Sequence, residues 1–325
     1  MRTTSLACLL SLLMLVSQFA VAQRPIRPLL PLRAYTLQDY TAVDFREALA
    51  LPAAMEPASY AGAAMTLQGN LVILSRAAPP FLEFDPDGAF VRAFGRDDLL
   101  RRAHGMSIDR EGNMWVTDVA DHLVMKLDAD ANVLMTLGTK GEAGEWDTAA
   151  GNLLFNEPND VALDSAGNIY VAQGHGGNTP RVLKFSPQGD FIMQWGSRGY
   201  GPGQFVAAHA IEIDADDVLY VADRENMRIQ RFDTNGNLLR EWKFDAMVCA
   251  IFLHADGFMY LTTGFDGEFA KVDMDGNVLG AIGSPGTGNG QFGEAHALTM
   301  DAAGNAYIPD VINRRVQKFA KKPGG

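Results

Sequence analysis

The chain repeats itself. Residues 104–128 read HGMSIDREGNMWVTDVADHLVMKLD, and the pattern returns at 209–233 (HAIEIDADDVLYVADRENMRIQRFD) and 296–320 (HALTMDAAGNAYIPDVINRRVQKFA). In each copy apolar and polar residues alternate into a turn cluster such as Glu111-Gly112-Asn113 and alternate out again. That period of two marks strands with one buried face. Weaker copies lie between. The inner strands have their centres near Val72, Trp115, Tyr170, Tyr220, Tyr260 and Tyr307, 40–55 residues apart, the interval of four-stranded propeller blades. A second hairpin follows each of the first five, at 81–95, 124–138, 182–196, 229–243 and 269–283. The sixth copy stops after 316–319, one strand short. A ring left open would expose unpaired backbone groups, so a strand from residues 35–51 is expected to complete the sixth blade. The expected fold is all-β: one six-bladed β-propeller over residues 52–325, with 23–51 an extended N-terminal segment that closes the last blade.

Residues 1–22 read as a signal peptide, with Arg2, an apolar stretch over 6–16 and Ala20-Val21-Ala22 before Gln23. Ser11, Ser17 and Gln18 interrupt the stretch, which falls short of the roughly 20 apolar residues of a membrane span. A secreted or periplasmic protein is expected. Only Cys249 would survive processing, so no intrachain disulfide can form. The net charge of −12 argues against nucleic acid or an anionic membrane as partner. A closed propeller needs no second chain to cover an edge, so a monomer is expected. The glycine-rich loops at 196–205 (GSRGYGPGQF) and 283–292 (GSPGTGNGQF) lack the Gly-Lys-Ser/Thr ending of a phosphate loop. They recur at one place in the repeat and read as links between blades. Asp118, Asp223 and Asp310 each close a strand and read as structural turn acceptors. Trp115, Trp195 and Trp242 read as packing.

Aligned on the first turn, the copies place Ala61, His104, Asn159, His209, Cys249 and His296 at one position. Every second blade thus carries a histidine. A lone histidine at a strand start is usually a packing or capping residue. Three at one register, spaced by two blades, would converge on the central axis. Three imidazoles with a fourth position open is the ligand set of a catalytic zinc. His122 and His254 fall outside this register and read as surface residues.

The sequence VADRENMRIQRF at 221–232 resembles the NHL-repeat signature. More specifically, WVTDVADHLVMKLD, the block from GPGQF through His209 to VADREN, and GNLVILSR resemble the peptidyl-α-hydroxyglycine α-amidating lyase family over most of residues 60–320. The resemblance implies a six-bladed propeller with zinc on His104, His209 and His296. It implies a channel calcium held partly by the backbone carbonyls of Ala63 and Met106. It also matches Arg76 and Arg224 to the family's active-site arginines, whose guanidinium groups suit a substrate carboxylate.

Three departures accompany it. The family's active-site tyrosine falls near His175, which could serve as a base. Ala297 replaces the acidic residue after the third histidine and so removes a calcium carboxylate, and Glu294 replaces a methionine. The expected function is an exported lyase that cleaves a carbinolamide to an amide and glyoxylate. Its substrate would be a peptide or small molecule with an α-hydroxyglycine-like end. A non-catalytic NHL propeller and a zinc propeller with hydrolase or lactonase chemistry are the alternatives, and for the latter Asn159 and Asp160 are candidate ligands.

Overall fold

Hairpin turns set the architecture. At the first turn of the second blade, one carboxylate oxygen of Asp109 accepts the amides of Glu111 and Asn113. Asp164, Asp214 and Asp301 do the same in blades three, four and six, and Asp128, Asp233 and Asp273 do it at second hairpins. An aspartate that satisfies two turn amides fixes where each strand reverses, and hence the register.

The computed structural model describes residues 32, 35–53, 55 and 57–323; the signal-peptide reading of 1–22 lies outside them. Six sheets of four antiparallel strands, the fifth extended by the short parallel strand Gln291–Phe292, surround a central axis, and the fold is the all-β six-bladed propeller expected. Their innermost strands are Tyr60–Met65, Ala103–Ile108, Pro158–Leu163, Ala208–Ile213, Ala250–Leu253 and Thr299–Met300. The sixth sheet takes its outer strand from the other end of the chain. There Tyr40–Ala42 pairs antiparallel with Arg315–Lys321, Tyr40 opposite Lys321. Leu37 and Tyr40 pack into the core with Phe269, Phe292 and Phe319. No described helix is long and apolar enough to cross a membrane.

Burial is greatest in the middle strands of a blade and falls at its rim. Met114–Asp118 of blade two is wholly buried, whereas Val133–Leu137 at its rim is largely exposed. The cores lie between blades. Leu74 and Phe81 of blade one meet Met114, Val116 and Met125 of blade two, and Ala172 and Val182 of blade three meet Ile211 and Val221 of blade four. Trp242 closes one such seam by packing on Gly276, whose φ of +90° and missing side chain leave room for the indole.

The glycine-rich loops are held by arginine. Arg228 donates to the carbonyls of Tyr200, Gly201 and Gln204, and Arg315 to those of Thr287, Gly288 and Gln291. Their backbone oxygens are thus turned toward the arginine and their amides are partly used internally, as connectors require. A separate short ribbon, Trp146–Asp147 with Asn152–Leu153, fills the longer link between blades two and three.

Candidate metal centre and active site

The six equivalent positions line one end of a channel cavity, and the structure puts all of them to use. His104 Nδ1 lies 2.9 Å from the carbonyl oxygen of Asn159, His209 Nδ1 2.8 Å from that of Cys249, and His296 Nδ1 2.8 Å from that of Ala61. Each histidine therefore leans on the carbonyl at the same position of the next blade. A carbonyl can only accept, so each Nδ1 carries the proton and each Nε2 presents a bare lone pair.

What fixes these strands is the aspartate that closes the neighbouring strand of the same blade. Asp118 accepts the amides of Arg101 and Arg102, Asp223 those of Val206 and Ala207, and Asp310 those of Gly293 and Glu294. In every case these are the two amides three and two residues before the histidine. In blades one, three and five the same position holds Ser75, Gln173 and Thr263.

The imidazoles are electrically prepared for a cation. Burial holds His104 and His209 well below the usual histidine range and brings His296 to about 3, so all three are neutral. His209 Nε2 is buried without a partner. His104 Nε2 and His296 Nε2 face each other at 3.2 Å, two lone pairs with no proton between them. That separation is close to the ~3.3 Å between ligand atoms of a tetrahedral site with bonds of about 2.0–2.1 Å. The donor set fits a zinc-type ion. Burial pushes the Cys249 thiol up to about 12, so it adds no thiolate.

His175 joins the ring from the loop after the second strand of blade three. Glu157 pins that loop by accepting the amides of Gly174 through its carbonyl and Gly176 through its carboxylate. The His175 ring lies 4.7 Å from that of His104 and 5.7 Å from that of His209. Nitrogens of His104, His175 and His209 lie within 4.8 Å of one another, a group that could hold a metal ion. Burial, then Arg224, Arg102 and Arg76, brings His175 to about 4.

The charges of both predicted arginines act on His296 and on His175. Arg76 Nε donates to the Ala103 carbonyl at 3.0 Å. Arg224 is braced by Glu225 through Nε and Nη2 at 2.8 and 2.5 Å. Burial raises the Glu294 carboxyl, while Arg224 and Arg76 draw it back down. His122 and His254 lie apart, in contact with Glu157 and Asp256.

Beyond the histidines the channel opens into a cavity of about 560 Å³ that Ala63, Met106, Asp160 and Glu212 line. Ala297 lines it as well and supplies no carboxylate. Both oxygens of Asp160 are engaged by amides, of Val161 and Ile211. Burial pushes Asp160 up to about 7 and, with Asp160 beside it, Glu212 to about 8. Glu212 was not anticipated, although a polar residue inside the apolar run HAIEI was its signal.

A carboxyl that holds its proton to higher pH when folded than when unfolded loses stability as pH rises from about 4.5 toward 8. Glu212→Gln should therefore match wild type at pH 4 and exceed it at pH 9 by a few kcal/mol, read as thermal midpoints in calcium-free buffer. Equal pH dependence of the two proteins would contradict this.

A family model described as a 6-bladed beta-propeller (DUF5128) matches residues 152–277. Peptidyl-glycine alpha-amidating monooxygenase A of Xenopus laevis is 34% identical over 275 residues, which are 77% of this chain and 28% of that protein. The chain thus spans less than a third of that relative's length. NHL repeat-containing protein 3 of Homo sapiens is 32% identical over 267 residues, 74% of this chain and 72% of the relative. A probable peptidyl-alpha-hydroxyglycine alpha-amidating lyase of Caenorhabditis elegans is 40% identical over 138 residues, 41% and 37% of the two chains.

Proposed function

Because the chain belongs to the NHL-repeat six-bladed propellers that include the peptidyl-α-hydroxyglycine α-amidating lyases, we propose that it is an exported zinc-dependent lyase acting on carbinolamides. The reaction takes R–CO–NH–CH(OH)–COO⁻ to R–CO–NH₂ and glyoxylate: the C–N bond breaks, and the hydroxyl proton ends on the departing nitrogen. The observation that carries this reading is the set of three neutral, carbonyl-anchored imidazoles whose free nitrogens converge beside two arginines.

His104, His209 and His296 would hold the metal. Zinc bound there would supply a Lewis acid that acidifies the substrate hydroxyl, which so weak a base as His175 requires. Arg76 and Arg224 grip the carboxylate with the nitrogens their backbone and Glu225 contacts leave over, and so orient the hydroxyl toward the histidines. His175, neutral and held by its pinned loop, accepts the hydroxyl proton and returns it to the nitrogen. Burial of the ring keeps bulk water from competing for these contacts. The calcium that the resemblance implies finds no carboxylate here, because Ala297 offers no side-chain oxygen and the Asp160 oxygens are engaged by amides.

Glyoxylate release from α-hydroxyhippurate by the purified mature protein tests the reading. Zinc-replete protein that released none from any α-hydroxyglycine compound would refute it, and would mark the chain as a binding propeller like a repeat protein without turnover. Arg76→Ala and Arg224→Ala should each lower kcat/KM by about 100-fold, the loss of one charge-assisted contact of 2–3 kcal/mol. Arg110→Ala, on the exposed first turn of blade two, should leave it unchanged.

A further inference from the structure

Glu294 is the charged group that the proposed chemistry leaves without a task. It sits two residues before His296, only 9% exposed, with its backbone amide held by Asp310 at 3.1 Å. Its carboxylate accepts no hydrogen bond and forms no ion pair among the described residues, yet it lies in the field of Arg224, Arg76 and Arg102. The charges of all three arginines act on it, and none of the three makes an ion pair with it among the described residues. Its oxygens keep contact with water rather than with protein. A ligand that covers them must therefore supply hydrogen-bond donors in place of that water or leave a buried carboxylate unpaired, which is costly.

The donors can be narrowed by charge. The substrate's carboxylate occupies Arg76 and Arg224, and the remaining part of the molecule must face Glu294. A cationic group there would also face Arg76, Arg102 and Arg224, so three repulsions would oppose one attraction. An apolar acyl group would bury Glu294 without a partner. A neutral group rich in N–H does neither. A ureido group presents two N–H bonds on one edge, the spacing a carboxylate accepts with both oxygens.

We propose that Glu294 determines specificity, selecting carbinolamides whose departing half is a ureido or similarly N–H-rich group over those with an apolar acyl group. The assignment rests on the lyase reading for its chemistry, and on the unpaired Glu294 carboxylate for its selectivity.

The test uses the mature full-length protein and two unreactive probes that lack the hydroxyl, N-carbamoylglycine and N-benzoylglycine. Calorimetry should show wild type binding the carbamoyl compound at least 10-fold more tightly. Glu294→Met should erase or invert that preference, a change of about 10–100-fold in the ratio, and Glu294→Gln should retain part of it through its amide oxygen. An unchanged ratio in Glu294→Met, a wild-type preference for N-benzoylglycine, or no binding of either compound to wild type would each overturn the assignment. Glyoxylate release from the two corresponding α-hydroxyglycines, run in parallel, separates the two readings. A switch in binding preference without turnover of either compound refutes the lyase and leaves Glu294 as a selector. Turnover of both with no change of ratio in Glu294→Met refutes the selector alone.

Discussion

His209→Ala should abolish metal binding and, with it, all glyoxylate release. Elemental analysis of purified protein should find one zinc per wild-type chain and none in the variant. The reason is geometric. His209 Nε2 is buried with no partner, while its Nδ1 is tied to the Cys249 carbonyl, so the ring cannot turn away to satisfy itself elsewhere. Losing an outer-shell partner costs roughly 10–100-fold in metal affinity; losing the ligand itself costs more.

Stability should follow occupancy. A ligand present at 100 times its dissociation constant stabilises the folded state by about 2.7 kcal/mol, so a zinc chelator should lower the wild-type thermal midpoint by several degrees and leave His209→Ala unmoved. His122→Ala, outside the ring, should retain its zinc. His175→Ala separates two roles the geometry permits. Retained zinc with lost turnover makes it the base, and lost zinc makes it a fourth ligand. Zinc retained by His209→Ala would remove the metal centre from its assigned place.

Much of this was legible in the sequence, for physical reasons. A strand's period of two and the recurrence of the turn cluster specify sheets. The recurrence of whole sheets at blade length specifies a ring, and a ring converts equal register into shared position. That is why His104, His209 and His296 could be grouped without any contact being known, and why the fold class follows. Contacts made by backbone atoms carry no such mark. Asn159, Cys249 and Ala61 anchor the three imidazoles through their carbonyls, and a carbonyl is common to every residue type. His175 was reached through a resemblance rather than through register, because a loop pinned by Glu157 places it. Glu212 and the unpaired state of Glu294 depend on what surrounds them across neighbouring blades. The aspartates were read as turn acceptors, and they are acceptors. Their restriction to the histidine-bearing blades was visible in the sequence, and its meaning emerged only from which amides they hold.

That restriction makes Asp223→Ala the variant with the largest expected loss of stability. Asp223 is fully buried. One of its oxygens accepts the amides of Val206 and Ala207 at 2.8 and 3.2 Å; the other accepts Asn226 Nδ2 at 2.6 Å and Arg228 Nε at 2.8 Å. Alanine would leave the buried Ala207 amide and the half-buried Val206 amide unpaired and strip one carboxylate from Arg228, itself 1% exposed, with Glu241 still in place. Breaking a buried ion pair from one side costs about 3–5 kcal/mol, and the orphaned amides add to it. Chemical denaturation should show a loss of that size.

Asp275→Ala removes an exposed ion pair with Arg240 and should cost less than about 1 kcal/mol. Thr262→Val, one residue before the equivalent position of blade five, removes a buried hydroxyl that has no partner and should be nearly neutral. Because Ala207 lies two residues before His209, Asp223→Ala should also weaken zinc binding by about 10–100-fold, as loss of an outer-shell support does, under conditions where the variant remains folded. Thr262→Val, in a blade without a channel histidine, should bind zinc as wild type does. If both variants lost zinc equally, the aspartates would be general supports of the propeller rather than supports of its metal-bearing strands.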